Sequence, residues 1–209
     1  MLIIGDVRNR VGEYLDCVNS SKEVRSVQLG NFGLKNSYDK VLDSNLDTCS
    51  HNILLSSYDY YPYAQYQPLI LDDFGFFKEG ENTFGYIRGS ESKNLKRCYR
   101  TEVVDPMEED YCDLCFPTDE QLNYWHFVRI LDQFPANNPK ILLTSELPQT
   151  IYEQLFDDPR STHTRRNLDT LWYTWQPEIW VFSNYNTAII KQVDKTKFIG
   201  LADLQTTTL

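Results

Sequence analysis

Leu2-Ile3-Ile4-Gly5-Asp6-Val7-Arg8, followed by Val27-Gln28-Leu29-Gly30-Asn31-Phe32-Gly33, is the stretch that decides the fold. Each half is a short apolar run that stops at a glycine, the pattern of a buried strand ending in a turn. Between them Val11, Tyr14, Leu15 and Val18 recur at helical spacing. The stretch therefore predicts a strand, an amphipathic helix and a second strand parallel to the first, which places the chain in the α/β class. Working outward, strands are predicted over Ile53-Leu54-Leu55, Pro68 to Leu71, Ile141-Leu142-Leu143, Ile179 to Phe182, Ala188 to Val193 and Phe198 to Leu201. Helices are predicted over Asp119 to Leu131, opened by Thr118 as N-cap with Gln121 three residues on, and over Arg165 to Trp175. The end of the chain reads as a strand meander. No repeat or linker divides the 209 residues, so a single domain over residues 1–209 is expected.

Composition excludes several classes of function. Hydrophobic residues make up 41% of the chain and charged residues 24%, the balance of a soluble globular protein, and no apolar run approaches the roughly 18 residues a membrane span needs. No membrane association is expected. The net charge is −10, and no basic cluster is dense enough to neutralise a row of phosphates, so direct nucleic-acid binding is not expected either. The N-terminus lacks a basic region and a long apolar core, which points to the cytoplasm. Five cysteines, an odd number, argue for reduced thiols rather than a disulfide framework.

In open α/β sheets, functional sites gather where strands end. The segments there are Gly5-Asp6-Val7-Arg8, Gly30-Asn31-Phe32-Gly33, Ser56-Ser57-Tyr58-Asp59, Ser145-Glu146-Leu147-Pro148 and Ser183-Asn184-Tyr185-Asn186. In order, spacing and flanking residues they resemble the calcineurin-like metallophosphoesterases, most closely the small versions found in tailed bacteriophages. In that family the segments read Gly-Asp-x-His, Gly-Asp-x-Gly, Gly-Asn-His-Asp, Ser-His-x-x-Pro and Gly-His-x-His, and they hold two metal ions. The phage frame Trp-Val-Phe-Gly-His-Tyr-His is matched by Trp180-Val181-Phe182-Ser183-Asn184-Tyr185-Asn186, with Thr196-Lys197-Phe198, Asp203-Leu204 and Tyr99-Arg100-Thr101-Glu102 also resembling phage segments. The resemblance covers nearly the whole chain and implies an α/β/β/α sandwich.

It also implies that the site has lost its chemistry. Asp6 is the only ligand that keeps the family's identity; Arg8 stands where the first segment has His, and Asn31 where the second has the bridging Asp. Ser57 and Tyr58 replace Asn-His, Ser145 replaces the fourth segment's His, and Asn184 and Asn186 replace both His of the fifth. A two-metal hydrolase needs carboxylates and neutral imidazoles to hold its cations and lower the pKa of a bridging water. Serine and asparagine are weak neutral ligands, and Arg8 adds a permanent positive charge. No catalytic residue, metal or cofactor is expected. Asp6 is expected to pair with Arg8 or cap the following turn, and Asn31, Asn184 and Asn186 to fill the vacated volume and hydrogen-bond one another.

Two other features bear on partners. The segment from Glu102 to Glu120 carries eight acids and no base, including Glu108, Glu109 and Asp110, with Met107, Tyr111, Leu114 and Phe116 among them. The stretch from Tyr58 to Tyr66 holds five tyrosines, Tyr60, Tyr61 and Tyr63 included. Tyrosine adds large amphipathic contact area with few rotors, and an acidic aromatic surface suits a basic protein, including one that itself binds nucleic acid. Each feature also has a plain structural reading, as a solvated loop and as rim packing. Cys98, Cys112, Cys115 and His126 can be written as a zinc site, but the spacing matches no standard finger and neighbouring carboxylates would raise the thiol pKa values. The expected function is non-catalytic protein binding by a phage-encoded pseudoenzyme that inhibits or redirects a host factor. The alternatives are a virion or other assembly component and a module that holds a phosphate or nucleotide without cleaving it.

Overall fold

Alternation of side chains along the strands sorts the core into three layers. The computed structural model describes residues 1–33, 40–41, 44, 46–47, 49–56, 59, 69–89 and 124–209. In β1 (Leu2–Ile4), Leu2 and Ile4 face the helix α1 (Val11–Ser20) and meet its Val11, Tyr14 and Val18, while Ile3 faces the opposite way. The same division continues through β2 (Ser26–Leu29) and β3 (His51–Leu54), where Val27, Leu29 and Leu54 point with Ile3 into a central layer and Ile53 points with Leu2 toward the outer one. These strands run parallel, and β10 (Thr206–Thr208) joins β1 antiparallel, giving a sheet of order β10-β1-β2-β3.

The second sheet has the order β4-β5-β6-β7-β9-β8, from β4 (Phe74–Glu79), β5 (Asn82–Ile87), β6 (Ile141–Thr144), β7 (Ile179–Phe182), β8 (Ile189–Val193) and β9 (Thr196–Gly200). Phe84, Tyr86, Ile141, Leu143, Val181 and Ile199 enter the central layer against Ile3, Val27, Leu29 and Leu54 of the first sheet. Leu142, Trp180, Phe182 and Phe198 face outward onto α2 (Tyr124–Asn137), α3 (Gln149–Phe156) and α4 (His163–Thr174). Helix, sheet, sheet, helix is therefore the order of layers, the α/β/β/α sandwich. Among the described residues no helix is long and apolar enough to cross a membrane.

Several predicted elements shift or change. Residues 119–123 and Thr118 lie outside the described residues, and α2 continues past Leu131 to Asn137. The second predicted helix begins earlier, at His163, because the Thr162 hydroxyl accepts from the Arg165 N–H at 3.1 Å and caps it. The stretch ending at Leu71 forms only an isolated bridge, Ile53 to Ile70, and Pro68 is outside the described residues. The expected terminal meander is incorrect: β8 and β9 form a hairpin, but β7 pairs with β9 in parallel and β10 crosses to the other sheet.

Two features escaped the sequence reading. The β4–β5 hairpin closes at the pair Glu79 and Asn82 around Gly80, whose φ of 58° suits a glycine. Helix α3 starts directly after Pro148 and buries Ile151 and Tyr152.

Candidate functional site

At the carboxyl end of β1 the chain turns through Gly5 and delivers Asp6, 1% exposed, to the place where the two sheets meet. Its Oδ1 accepts from the Asn31 N–H at 3.1 Å and the Asn184 N–H at 3.1 Å, and the Ser183 hydroxyl lies 2.9 Å away. Its Oδ2 accepts from Arg8 Nε at 3.2 Å and Nη2 at 3.0 Å. One carboxylate thus gathers the ends of β1, β2 and β7. Gly30 makes this approach possible, since a Cβ there would fall 1.8 Å from Asp6 Oδ1 and the residue holds φ at 78°. Burial pushes the Asp6 carboxyl above the ordinary carboxylate range, while Ser183, Arg8 and the Asn31 N–H pull it back in part.

The expected pairing of Asp6 with Arg8 is therefore present, but the asparagines act differently from the expectation. Among the described residues they make no side-chain hydrogen bonds to one another. Asn31 and Asn184 serve Asp6 through backbone N–H groups, and Asn186 Oδ1 accepts from the Asp203 N–H at 3.4 Å. The residue type follows from the backbone: Asn184 and Asn186 hold φ of 82° and 48°, in the left-handed region that asparagine tolerates better than most residues. Asn31 Oδ1 is buried without a hydrogen-bond partner among the described residues. Ser145 is fully buried, and its hydroxyl points to Leu55 O at 3.5 Å rather than to Asp6. Ser57 and Tyr58 lie outside the described residues.

Asp203 completes the charge balance. It lies 3.4 Å from Arg8 Nε and 3.2 Å from Arg10 Nη2, so two arginines meet two aspartates at this end of the sandwich. A second buried carboxylate, Asp59, accepts from the Gly33, Phe32 and Ser56 N–H groups at 2.8, 3.1 and 3.1 Å. It fixes the turn after β2 against the end of β3.

Beside this lies a buried ion pair that the sequence reading did not find. Glu146 Oε2 accepts from Arg165 Nε at 2.8 Å, with side chains 2% and 4% exposed, and the Tyr185 hydroxyl donates to the same carboxylate. The Arg165 guanidinium also sits 3.5 Å over the Tyr152 ring and donates to Arg160 O at 3.0 Å. Glu146 and Tyr185 are sequence neighbours of Ser145 and of Asn184 and Asn186. The cluster anchors those two segments to α4. Burial and the Glu146 charge push the Tyr185 phenol well above its usual range, which keeps it a donor.

The donor set does not fit a pair of divalent cations. Among the described residues the Asp6 carboxylate carries donors on both oxygens, from a guanidinium, a hydroxyl and two backbone amides, while Asp203 is engaged by Arg8 and Arg10 and Asp59 by three backbone N–H groups. Among the described residues there is no group of three or more His, Cys, Asp or Glu able to hold a metal ion. His126 has Asp73 Oδ2 at 2.5 Å from Nδ1, while Cys98, Cys112 and Cys115 lie outside the described residues. Glu108, Glu109, Asp110, Tyr60, Tyr61 and Tyr63 lie outside them as well.

No protein-family model matches the chain, and no curated protein matches it. Among solved structures it is similar to a single mutant of Vps29 from Entamoeba histolytica, at 13% identity over 97% of this chain and 74% of that one, with a TM-score of 0.39. This is a distant likeness, too slight to carry an argument about function.

Proposed function

We propose that the chain is a catalytically inactive, phage-type relative of the metallophosphoesterases that works by binding another protein. The observation that carries the reading is the state of Asp6: the carboxylate that would ligate a metal accepts instead from a guanidinium, a hydroxyl and two backbone N–H groups. In that role it is a structural tie between strand ends. The partner class rests on the acidic, aromatic-bearing segment from Glu102 to Glu120 and the tyrosines from Tyr58 to Tyr66, which together favour a basic partner. A phosphate-holding module is less well supported, because Asp6 and Asp203 already neutralise Arg8 and Arg10.

The test compares the unaltered chain with a variant carrying Glu108→Lys, Glu109→Lys and Asp110→Lys. Both are immobilised and exposed to lysate at low and high salt, and captured proteins are identified by mass spectrometry. Basic proteins should be retained by the unaltered chain at low salt and depleted on the variant, with the difference shrinking as salt screens the charges. The same captured set on both chains, or no captured basic protein, contradicts the reading.

A further inference from the structure

At the opposite end of the first sheet from Asp6, where β1, β2 and β3 begin, the two sheets part around a cavity of about 250 Å³. Its walls are Val27 from one sheet, Leu71, and Phe77 and Tyr86 from the β4–β5 hairpin, all of the central apolar layer, so its floor is continuous with that layer. Its rim carries Arg25, Asn52 and Cys49. A dry apolar cavity of about 150 Å³ takes one benzene ring, so this volume accommodates a ring with a polar substituent or two fused rings. The aromatic walls favour a flat occupant.

The rim supplies donors that the fold does not use. Among the described residues Arg25 engages only Glu79 Oε2, through Nη1 at 3.0 Å, which leaves its other guanidinium N–H groups for a planar two-oxygen acceptor. Asn52, half-buried on β3, lines the same mouth and brings a side-chain amide to it. We propose that this cavity binds a small planar aromatic acid, with its ring between Val27 and the hairpin aromatics and its carboxylate on Arg25 and Asn52. The site is separate from the Asp6 end, so this proposal and the protein-binding reading stand or fall independently.

Cys49, an exposed free thiol on the rim, reports on occupancy. The probes are indole-3-carboxylate, indole-3-carboxamide and indole, each added before alkylation with iodoacetamide, with Cys49 and Cys17 followed by peptide mass. The carboxylate should slow alkylation of Cys49 and leave Cys17 unchanged. Arg25→Gln, at an exposed position, should weaken protection by the carboxylate about tenfold, the equivalent of one charge-assisted hydrogen bond, and leave indole unaffected. Asn52→Phe should fill the mouth and remove protection by all three. The proposal is overturned by no protection with any probe at about 5 mM, a concentration well above the dissociation constant of any useful site. It is also overturned by carboxylate protection that Arg25→Gln leaves unchanged. Equal protection by indole and the carboxylate overturns it too, and points instead to a pocket for an aromatic side chain of a protein.

Discussion

Asp6→Ala is expected to destabilise the protein by about 3–5 kcal/mol, the combined cost of two or three buried donors that lose their acceptor at about 1–3 kcal/mol each. Asp6 is 1% exposed, and its loss orphans the Asn31 and Asn184 N–H groups, leaves the Ser183 hydroxyl with Leu201 O alone among the described acceptors, and unpairs the inner face of Arg8. Each buried donor left without an acceptor carries its own desolvation penalty. Against a total stability of about 5–15 kcal/mol for an ordinary domain, this is a large fraction. Asp6→Asn should cost less, because a side-chain oxygen remains for the backbone donors. Arg8→Ala should also cost less than Asp6→Ala, about 1–2 kcal/mol, because Asp6, 1% exposed, loses its cation but keeps the Ser183 hydroxyl and two backbone donors. Urea unfolding followed by circular dichroism gives the order. An Asp6→Ala variant as stable as the unaltered chain would show that the carboxylate does not tie the strand ends together.

The second large effect is expected at Arg165. Arg165→Leu leaves Glu146 as a charge 2% exposed, with only the Tyr185 hydroxyl still donating to it among the bonds described above, again at a cost of about 3–5 kcal/mol. The ring of Tyr152 loses the guanidinium 3.5 Å above it, and Arg160 O loses a donor. Combining Arg165→Leu with Glu146→Leu should recover most of the loss, because two apolar side chains need no desolvated charge to be balanced. The comparison of single and double variants is the informative one. Equal destabilisation in both would mean that packing of the Arg165 side chain, rather than its charge on Glu146, holds α4 against the segments after β6 and β7.

What the sequence made legible follows the physics of periodicity. The apolar runs at Leu2–Ile4 and Val27–Leu29, with Val11, Tyr14 and Val18 between them, carry their own geometry, and the βαβ unit they predict is present. Arg8 lies two residues from Asp6, so their pairing was also readable. Ser183 was missed as an Asp6 donor because serine at a strand end has many uses and nothing local distinguishes them. Glu146 and Arg165 are 19 residues apart with no periodic relation, so only the packing of α4 onto the second sheet brings them together. Asparagine at 31, 184 and 186 suggests side-chain chemistry, whereas the site uses the backbone N–H groups of Asn31 and Asn184 and the left-handed conformations of Asn184 and Asn186, which composition does not encode. The β4–β5 hairpin was readable from Gly80 between alternating aromatics, and α3 from the apolar pairs that follow Pro148.

The claim that the site has lost its hydrolytic chemistry is tested most directly by turnover of bis-p-nitrophenyl phosphate by the purified, unaltered chain with added Mn²⁺. With Asp6 committed to Arg8, Ser183 and two backbone donors, the rate should not rise above the metal-containing blank at any Mn²⁺ concentration. Metal-dependent turnover that co-elutes with the chain through gel filtration would contradict the account.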